Sequence, residues 1–487
     1  RPHAGLVSRL RAAWLSAKMR PMRHRAAQLE ALGRFLDEKK QDILEATTLD
    51  TGKPPFEAEL SEISICRSEL NHTLNSLGTW MKDEHVEKNW VWCGGWPGMH
   101  GMGGRCPSCH PSLRRRRRWT HPSSDPQGPV RVVLIIGPWN YPINLLLVPL
   151  VRAIAAGNCV VMKPSKISRN VERSVAETLP RYLDKDCFAV VTAGVETTRL
   201  LENKFDCTFF TSSPSVGRLV MAAAPKRLTP VTLELGGKNP CYVSDTCDVQ
   251  NVARQTRVAP DYVLCSADTQ AQLLPALREA ITQFYGPNPQ ESPDFGRMAA
   301  DKRLQRVQAL LRSGHVAIRG QTDAEARYIG EAQGPRLGSA LPSQPPRCDP
   351  AMQEISGPVL TVDDAIAFIN TWEQPLALYV FSSCKKHPPA LTPQVLKQTS
   401  SGGFCANDTV RHVTLTLLPF GGIGQRGPGH YHGRSSFETF SHPRSALLRG
   451  GGREALNAPH YPPCGPGRLP PLRAATETQR RAACAPL

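Results

Sequence analysis

The chain has 487 residues, a formal net charge of +17 and a hydrophobic share of 40%. This length exceeds what one hydrophobic core supports and predicts two or three domains, while the hydrophobic share excludes a largely disordered chain. No apolar run is long enough to span a bilayer, no secretion signal opens the chain, and its fifteen cysteines form no framework of short spacings. We therefore expect a cytoplasmic protein without a membrane-spanning helix.

The N-terminal part of the chain, residues 1–87, carries leucines and isoleucines at helical spacing. Pro54-Pro55 separates two such stretches, which predicts a set of N-terminal helices. The next part, residues 88–128, is rich in Gly, Pro, Cys, Trp and Arg and shows no periodicity. It predicts an irregular insert.

Two patterns inside the insert fit known chemistry. Cys106-Pro-Ser-Cys109-His110 fits c-type haem attachment and, with Cys93 and His100, a zinc site. No export signal and no second ligand pair accompany it, so we expect no metal. The run from Arg114 to Arg118 fits a nuclear-localisation or nucleic-acid patch, although a solvated charge run is the simpler interpretation. We expect no nucleic-acid partner.

From residue 129 onward, short apolar runs alternate with helical patterns. This alternation predicts right-handed βαβ units and a parallel sheet covered on both faces. The predicted strands are 130–136, 159–162, 188–191, 207–210 and 231–235. The predicted helices are 145–156, 171–183, 196–203 and one into which residues 211–217 lead. Such sheets bind ligands at the carboxyl ends of their strands, where Asn140, Lys163, Ser213 and Glu234 are expected to converge.

The stretch from Pro230 to Pro240 places one carboxylate at the end of a strand and two glycines after it. Gly236 and Gly237 remove side-chain bulk, so a substrate or another backbone segment can pass close to Glu234. A carboxylate held partly out of water can act as a general base. The alternative is a solvated glutamate where the strand enters an ordinary turn.

Seven motifs resemble those of the NAD(P)-dependent aldehyde dehydrogenases and occur in the same order. They are PWNYP, KPS, FFTSSPSVG, LELGGKNPCYV, QEISGPVL, the SGGFCAND region and LPFGGIG. The motif sequences are most similar to those of the class 3 enzymes. Within that class they most resemble the B branch, whose members act on medium- and long-chain aldehydes. The resemblance covers the chain except residues 90–128, 330–350 and the tail.

The resemblance implies an α/β protein with the aldehyde dehydrogenase fold, built from a Rossmann-like parallel-sheet cofactor domain and a second α/β catalytic domain. Residues 1–87 would supply N-terminal helices of the cofactor domain. The Rossmann-like domain would occupy residues 129–234, the catalytic domain 235–420, and a C-terminal oligomerisation segment with its tail 421–487. The resemblance also implies a homodimer.

The family reaction implies roles for matching positions. A cysteine thiolate attacks the aldehyde, a hydride passes to NAD or NADP, and water hydrolyses the thioester. Asn140 would help to hold the oxyanion, and Glu234 would activate the water. Four positions would bind the cofactor: Lys163 at the adenosine ribose, Glu354 at the nicotinamide ribose, and Ser213 and Gly217 where the helix begins.

This chain departs from the family at the nucleophile. Family members carry a segment resembling NAGQTC just before VAPDY, whereas this chain lacks about a dozen residues there and has Arg257 at the position of the cysteine. Arginine stays protonated and is no nucleophile. Cys241, Cys265 and Cys405 are possible substitutes, but we assign all three to the scaffold or to other motifs.

Further departures lie near the expected cofactor. Ser212 and Arg131 stand where glycine is usual, Lys166 where a carboxylate is usual, and Ser356 where a phenylalanine packs near the nicotinamide. Together with the loop-like composition of residues 330–350, these changes are typical of altered splicing or of an imperfect gene model. The sequence favours NAD(P)-dependent oxidation of medium- and long-chain aldehydes, impaired in this chain. The alternative is an inactive protein that binds nucleotide or a partner subunit.

The tail ends in Cys484-Ala-Pro-Leu, which fits the C-a-a-X pattern and, with leucine last, geranylgeranylation. Arg480 and Arg481 supply the positive charge that a single lipid chain needs for stable anchoring. Similar enzymes of the B branch also carry a prenylatable cysteine at the C-terminus. We therefore expect peripheral association with the cytoplasmic face of a membrane.

Overall fold

The computed structural model describes residues 3–83, 127–192, 197–256, 260–313, 318–319, 321–330, 332–333, 361–383, 391–444, 461–463 and 465–476. Residues 1–80 and 128–442 form one compact unit, and residues 81–127 and 443–487 form a second. The domain boundaries expected within the first unit stay a prediction. Several predicted features lie outside the described residues, namely Arg257, Glu354, Ser356, Cys484, the haem-like motif and the arginine run.

The elements of the described chain alternate as the sequence predicts. The helices are α1 Ala4–Leu15, α2 Met22–Glu38, α3 Lys40–Thr51, α4 Pro55–Ala58, α5 Ile65–Trp80, α6 Asn144–Ala156, α7 Arg169–Thr178, α8 Thr197–Leu200, α9 Pro214–Ala223, α10 Val249–Gln255, α11 Ala267–Tyr285, α12 Asp301–Ser313, α13 Val362–Thr371, α14 Leu391–Gln398, α15 Arg411–Thr414, α16 Gly433–Thr439 and α17 Leu469–Thr476. The strands are β1 Gln127–Pro129, β2 Val132–Ile136, β3 Cys159–Lys163, β4 Phe188–Val190, β5 Cys207–Ser212, β6 Val231–Leu235, β7 Pro240–Val243, β8 Tyr262–Leu264, β9 Ile318–Arg319, β10 Thr322–Asp323, β11 Tyr328–Ile329, β12 Ala332–Gln333, β13 Ala377–Phe381, β14 Gly403–Ala406 and β15 Ser441–Pro443.

The first sheet has five parallel strands in the order β4-β3-β2-β5-β6. The chain starts at the central strand β2, moves outward through β3 and β4, and returns to the other side of β2 for β5 and β6. This is the doubly wound Rossmann order, with its switch point between β2 and β5. Every residue of β2 and β3 is buried, as expected for strands covered on both faces.

The second sheet has four parallel strands in the order β14-β13-β7-β8. Its strand β7 begins five residues after the end of β6, so the turn that follows Glu234 joins the two sheets. The hydrophobic cluster on one side of this sheet includes buried residues of α11, and the cluster on the other side includes buried residues of α13. The two sheets confirm the predicted α/β fold with a Rossmann-like sheet and a second α/β part.

Several predicted boundaries were wrong. Strand β5 extends two residues beyond the predicted 207–210, and α9 begins at Pro214, within the stretch expected to precede it. The first strand starts at Val132 because Arg131 has a φ of 115°, which interrupts the extended backbone. The helix expected over 171–183 ends at Thr178 and continues as a 3₁₀ turn that contains Pro180, whose missing N–H ends the α-helical ladder. The helix expected over 196–203 is reduced to α8.

The N-terminal helices pack as their periodicity predicts. Leu29, Leu32 and Leu36 of α2 and Ile43 of α3 are buried. Glu69 of α5 forms an ion pair with Arg152 of α6, and both side chains are almost completely buried. The helices α5 and α6 therefore meet through a charged pair within an apolar environment. Among the described residues, no helix is both long enough and apolar enough to cross a membrane.

We expect that Glu69→Ala lowers the free energy of unfolding by about 3–5 kcal/mol, because it leaves the Arg152 charge buried without its partner. Urea denaturation of the two proteins measures the difference. The double substitution Glu69→Met with Arg152→Met should recover most of the loss. The control is Glu438→Ala, which breaks the half-exposed Arg434–Glu438 pair and should change stability by less than about 1 kcal/mol. Equal losses at the two pairs would contradict the expectation.

Candidate active site

Glu234 is the buried carboxylate of the candidate site. It is the fourth residue of β6 and pairs in register with Thr211 of β5, two residues before Ser213. Glu234 is 4% exposed, and its Oε1 has no hydrogen-bond partner among the described residues. Burial raises the pKa of Glu234 well above its ordinary value. The sequence predicted a carboxylate half out of water, and the structure buries it further.

A glycine-rich loop explains the deeper burial, because it covers the outer strand β6. The backbone N–H of Leu233 donates a hydrogen bond of 2.9 Å to the carbonyl of Pro428. Gly427 and Gly429 both have a φ of 99°, which favours glycine. A Cβ on Gly427 would lie 2.3 Å from the carbonyl oxygen of Leu233, so the loop approaches the strand backbone as only glycine permits.

Arg426 holds the turn that follows Glu234. Its Nη1 donates a hydrogen bond of 3.1 Å to the carbonyl of Gly236, and its Nε donates one of 3.0 Å to the carbonyl of Gln374. A Cβ on Gly237 would lie 2.6 Å from Arg426 Nε. Gly237 therefore leaves room for the guanidinium, whereas a Cβ on Gly236 would meet no atom within 4 Å. The sequence analysis did not identify Arg426, because its partners lie far away along the chain.

Tyr431 is a second residue that the sequence analysis missed. It is buried, and its ring contacts Phe209 and Phe420 edge to face. Burial, and to a smaller degree the charge of Glu234, raise the pKa of Tyr431. The aromatic cluster therefore forms part of the low-dielectric environment of the carboxylate.

Asn140 lies in the loop between β2 and α6, and its side chain is exposed. The residues on both sides of it are held in place. The guanidinium carbon of Arg303 lies 3.4 Å from the centre of the Trp139 ring, and the Nζ of Lys53 lies 3.5 Å from the centre of the Tyr141 ring. The hydroxyl of Ser168 also donates a hydrogen bond of 3.1 Å to the carbonyl of Trp139.

Glu62 caps the start of the helix that follows this loop. Its Oε2 accepts hydrogen bonds from the backbone N–H groups of Ile143 at 3.1 Å and Asn144 at 2.8 Å, and its Oε1 accepts from Lys53 Nζ at 3.0 Å. A carboxylate at a helix N-terminus satisfies orphan N–H groups and is favoured by the helix dipole. Glu62 thus fixes both the first turn of α6 and the lysine that contacts Tyr141.

Three of the four expected cofactor residues, Lys163, Ser213 and Gly217, lie at the carboxyl edge of the first sheet, and Glu354 lies outside the described residues. Lys163 is the last residue of β3 and is buried, and this burial lowers the pKa of its ammonium. Ser213 is the residue before α9, and its Oγ lies 3.0 Å from the Oγ of Ser215. A Cβ on Gly217 would lie 2.7 Å from the Leu235 side chain, so this glycine lets α9 pack closely against β6. The structure thus places Lys163 at the end of β3, and Ser213 and Asn140 after the neighbouring strands β5 and β2.

The chain around the missing nucleophile is described up to Thr256. Helix α10 ends at Gln255, whose carbonyl accepts a hydrogen bond of 2.8 Å from the Thr409 hydroxyl. The candidate substitute Cys241 is fully buried in β7 within the core cluster of the second sheet, and Cys265 is also buried in that cluster. Cys405 is partly buried on β14 and packs against the same cluster. These positions agree with the scaffold role assigned to them, which stays a prediction.

Comparison with known proteins identifies the family. The sequence model described as the aldehyde dehydrogenase family matches residues 7–446. The chain belongs to the aldehyde dehydrogenase family. Over 497 aligned residues it is 49% identical to human aldehyde dehydrogenase family 3 member B1, covering 98% of each chain. It is 48% identical to mouse family 3 member B2, covering 96% of this chain and 93% of that one. These relatives confirm the class 3, B-branch resemblance.

Solved structures agree with this assignment. Staphylococcus aureus AldH in a substrate-bound state superposes with a TM-score of 0.78 at 32% identity, covering 94% of this chain and 96% of that one. The NADP-dependent glyceraldehyde-3-phosphate dehydrogenase of Bacillus halodurans C-125, solved with NADP, has a TM-score of 0.72 at 21% identity and covers 90% and 89%. The second likeness shows the fold alone.

We expect that Glu234→Gln stabilises the protein more at pH 8 than at pH 4. Because burial raises the pKa of Glu234 in the folded state, the parent loses stability as pH rises from the unfolded-state pKa through the folded-state pKa, whereas glutamine does not titrate. Urea denaturation of parent and variant at the two pH values measures the difference. Glu438→Gln, at a half-exposed glutamate, serves as the control. A stability difference for Glu234→Gln that does not change with pH would overturn the interpretation.

Proposed function

We propose that this chain carries the scaffold for NAD(P)-dependent oxidation of medium- and long-chain aldehydes to carboxylic acids, and that its turnover is impaired because Arg257 replaces the nucleophilic cysteine. The observation that carries the proposal is the environment of Glu234. A buried carboxylate whose Oε1 has no partner among the described residues lies at the carboxyl edge of a Rossmann-like sheet, in a chain of the aldehyde dehydrogenase family.

The role of Glu234 in this proposal is that of general base. A carboxylate with its ordinary pKa is a weak base at neutral pH, and a raised pKa brings its proton affinity closer to the working pH. Burial supplies that rise here. Asn140 would donate a hydrogen bond from its amide to the oxyanion of the adduct, and the contacts on Trp139 and Tyr141 hold the loop that presents it.

NAD or NADP would bind along the carboxyl edge of the first sheet. Lys163 can donate hydrogen bonds to ribose hydroxyls, and burial restricts the positions that its ammonium can take. Ser213 and Gly217 lie at the start of α9, where backbone N–H groups favour an anionic phosphate. Glu354 would accept from the nicotinamide ribose by resemblance alone. Ser212, which ends β5, carries a side chain where the family usually has glycine, so it would leave less room for the phosphates of the cofactor.

Arg257 is the reason to expect impairment. Without a thiolate there is no covalent adduct from which a hydride can leave. Because Glu234 Oε1 has no partner among the described residues, it is an available acceptor for a guanidinium that enters the pocket. The alternative is an inactive protein that binds nucleotide or a partner subunit. It follows if the carboxyl edge of the first sheet binds the cofactor while the nucleophile position forms no covalent adduct.

The test compares the chain as it is with a form in which the family segment and Arg257→Cys are restored. We expect nucleotide reduction with a medium-chain aldehyde only in the restored form, at least about 100-fold above the parent, because the covalent step needs the thiolate. Glu234→Gln in the restored form should then abolish steady turnover while leaving one equivalent of acyl-enzyme. Turnover by the parent would refute the impairment.

Nucleotide binding, measured by fluorescence titration, separates the alternative from an unfolded product. Lys163→Met should weaken binding in both forms, whereas Lys185→Met, at an exposed lysine in the turn before β4, should not. Binding without turnover in the parent supports the inactive alternative, and loss of binding in both forms would argue against the cofactor edge.

We also propose that residues 421–487 help to pair two copies into a homodimer. A second proposal for the tail is that Cys484 is prenylated and that this lipid directs the protein from the cytoplasm to a membrane surface. The support is the B-branch resemblance, the C-a-a-X ending and the adjacent Arg480 and Arg481. We expect Cys484→Ser to shift the protein from the membrane to the supernatant fraction of expressing cells. Cys464→Ser, at a cysteine twenty residues upstream, is the control, and equal partitioning of all three proteins would refute the lipid anchor.

A further inference from the structure

A group of metal-binding side chains lies at the opposite edge of the first sheet from the candidate active site. It gathers around the turn from Asp184 to Cys187, which leads into β4. The potential ligand atoms of His24, Asp184 and Cys187 all lie within 4.8 Å of one another. The distance from His24 Nε2 to Asp184 Oδ2 is 3.8 Å.

The backbone of this turn is held by local hydrogen bonds. The N–H of Cys187 donates to the carbonyl of Asp184 at 3.0 Å, and the N–H of Asp186 donates to Asp184 Oδ1 at 3.0 Å. The Oε1 of Gln28, on α2, accepts a hydrogen bond of 2.9 Å from the N–H of Asp184. Because α2 also carries His24, this contact fixes the distance between the imidazole and the turn.

The donor atoms have the chemistry that a metal ion needs. His24 Nε2 is shielded from solvent and has no hydrogen-bond partner among the described residues. Cys187 is fully buried, and the thiol of Cys159, the first residue of β3, is hydrogen-bonded to it. An imidazole nitrogen, a thiolate and a carboxylate are the ligands that Zn²⁺ and related ions take in proteins.

Lys18 supplies a positive charge beside Asp184. Lys18 Nζ lies 2.7 Å from Asp184 Oδ2 and 2.9 Å from Asp186 Oδ2. A divalent ion bound to Asp184 would displace the ammonium from that carboxylate by charge repulsion, while Asp186 could keep it. The lysine therefore competes with a metal ion for Asp184 without occupying the histidine or the cysteine.

We propose that His24, Asp184 and Cys187 form a binding site for a thiophilic divalent transition-metal ion such as Zn²⁺, with the Cys159 thiol or a water molecule as fourth ligand. Binding releases the proton of the Cys187 thiol, and the ion joins the first turn of α2 to the turn before β4. An ion that binds only the folded state stabilises it in proportion to the logarithm of its concentration over its Kd. The site is independent of Glu234 and of the proposed function.

The test uses Co²⁺ as the probe, because a cobalt–thiolate bond absorbs in the near ultraviolet. The starting protein is the full chain with Cys106→Ser and Cys109→Ser, which removes the haem-like motif as a competing site. We expect one equivalent of cobalt–thiolate absorption that Zn²⁺ displaces. His24→Gln and Cys187→Ser should each lower the affinity by at least about 10-fold, as loss of a ligand interaction does.

Two further variants make the result specific. Lys18→Met should tighten Co²⁺ binding several-fold, because it removes the competing ammonium, and this substitution leaves all three ligands in place. Cys207→Ser, at a buried cysteine that begins β5 of the same sheet, should leave the cobalt spectrum unchanged. Cobalt binding that persists in His24→Gln, or no effect of Lys18→Met, would overturn the proposal.

Discussion

The hydrogen bond from the Leu233 N–H to the Pro428 carbonyl is the contact on which the candidate active site depends. Strand β6 lies at the edge of the first sheet, where one row of its backbone groups would otherwise face solvent. The glycine-rich loop pairs with that edge and brings Tyr431 into the environment of Glu234. The same contact therefore gives the strand backbone a hydrogen-bond partner and removes the Glu234 carboxylate from water. The loop thus both covers the edge of the sheet and raises the pKa of Glu234.

The loop that presents Asn140 is stabilised differently, by two charged residues that precede it in the chain. Glu62 caps α6 and holds Lys53, whose ammonium lies on the ring of Tyr141. Burial raises the pKa of Glu62, and the charge of Lys53 opposes this rise. A rigid loop presents its amide with little reorganisation, which is what oxyanion stabilisation requires. The N-terminal helices thus contribute to the geometry of the site without reaching it themselves.

The sequence predicted those parts of the site that local pattern determines. Apolar runs bounded by glycine and proline gave β2, β3, β5 and β6, and a strand end followed by two glycines identified Glu234. The deeper burial of Glu234 was not predictable, because it comes from a loop almost two hundred residues further along the chain. Arg426 was missed for the same reason, since its acceptors belong to Gly236 and Gln374. Arg131 was flagged as unusual in the sequence, and its positive φ shows why glycine suits that position.

A buried carboxylate without a partner at one oxygen destabilises a protein, because the ionised form is poorly solvated there. The burial and the raised pKa of Glu234 support the role of general base that we propose for it. The scaffold around it is intact in the described residues, from the cap on α6 to the glycine contacts on β6. In the proposed function, Arg257 removes the thiolate from the nucleophile position. Since the thiolate and the base act in separate steps of the family reaction, losing the first leaves the second in place but without a thioester to hydrolyse. Under the proposed impairment, the energetic penalty of the buried carboxylate remains, while the reaction that would account for it does not proceed.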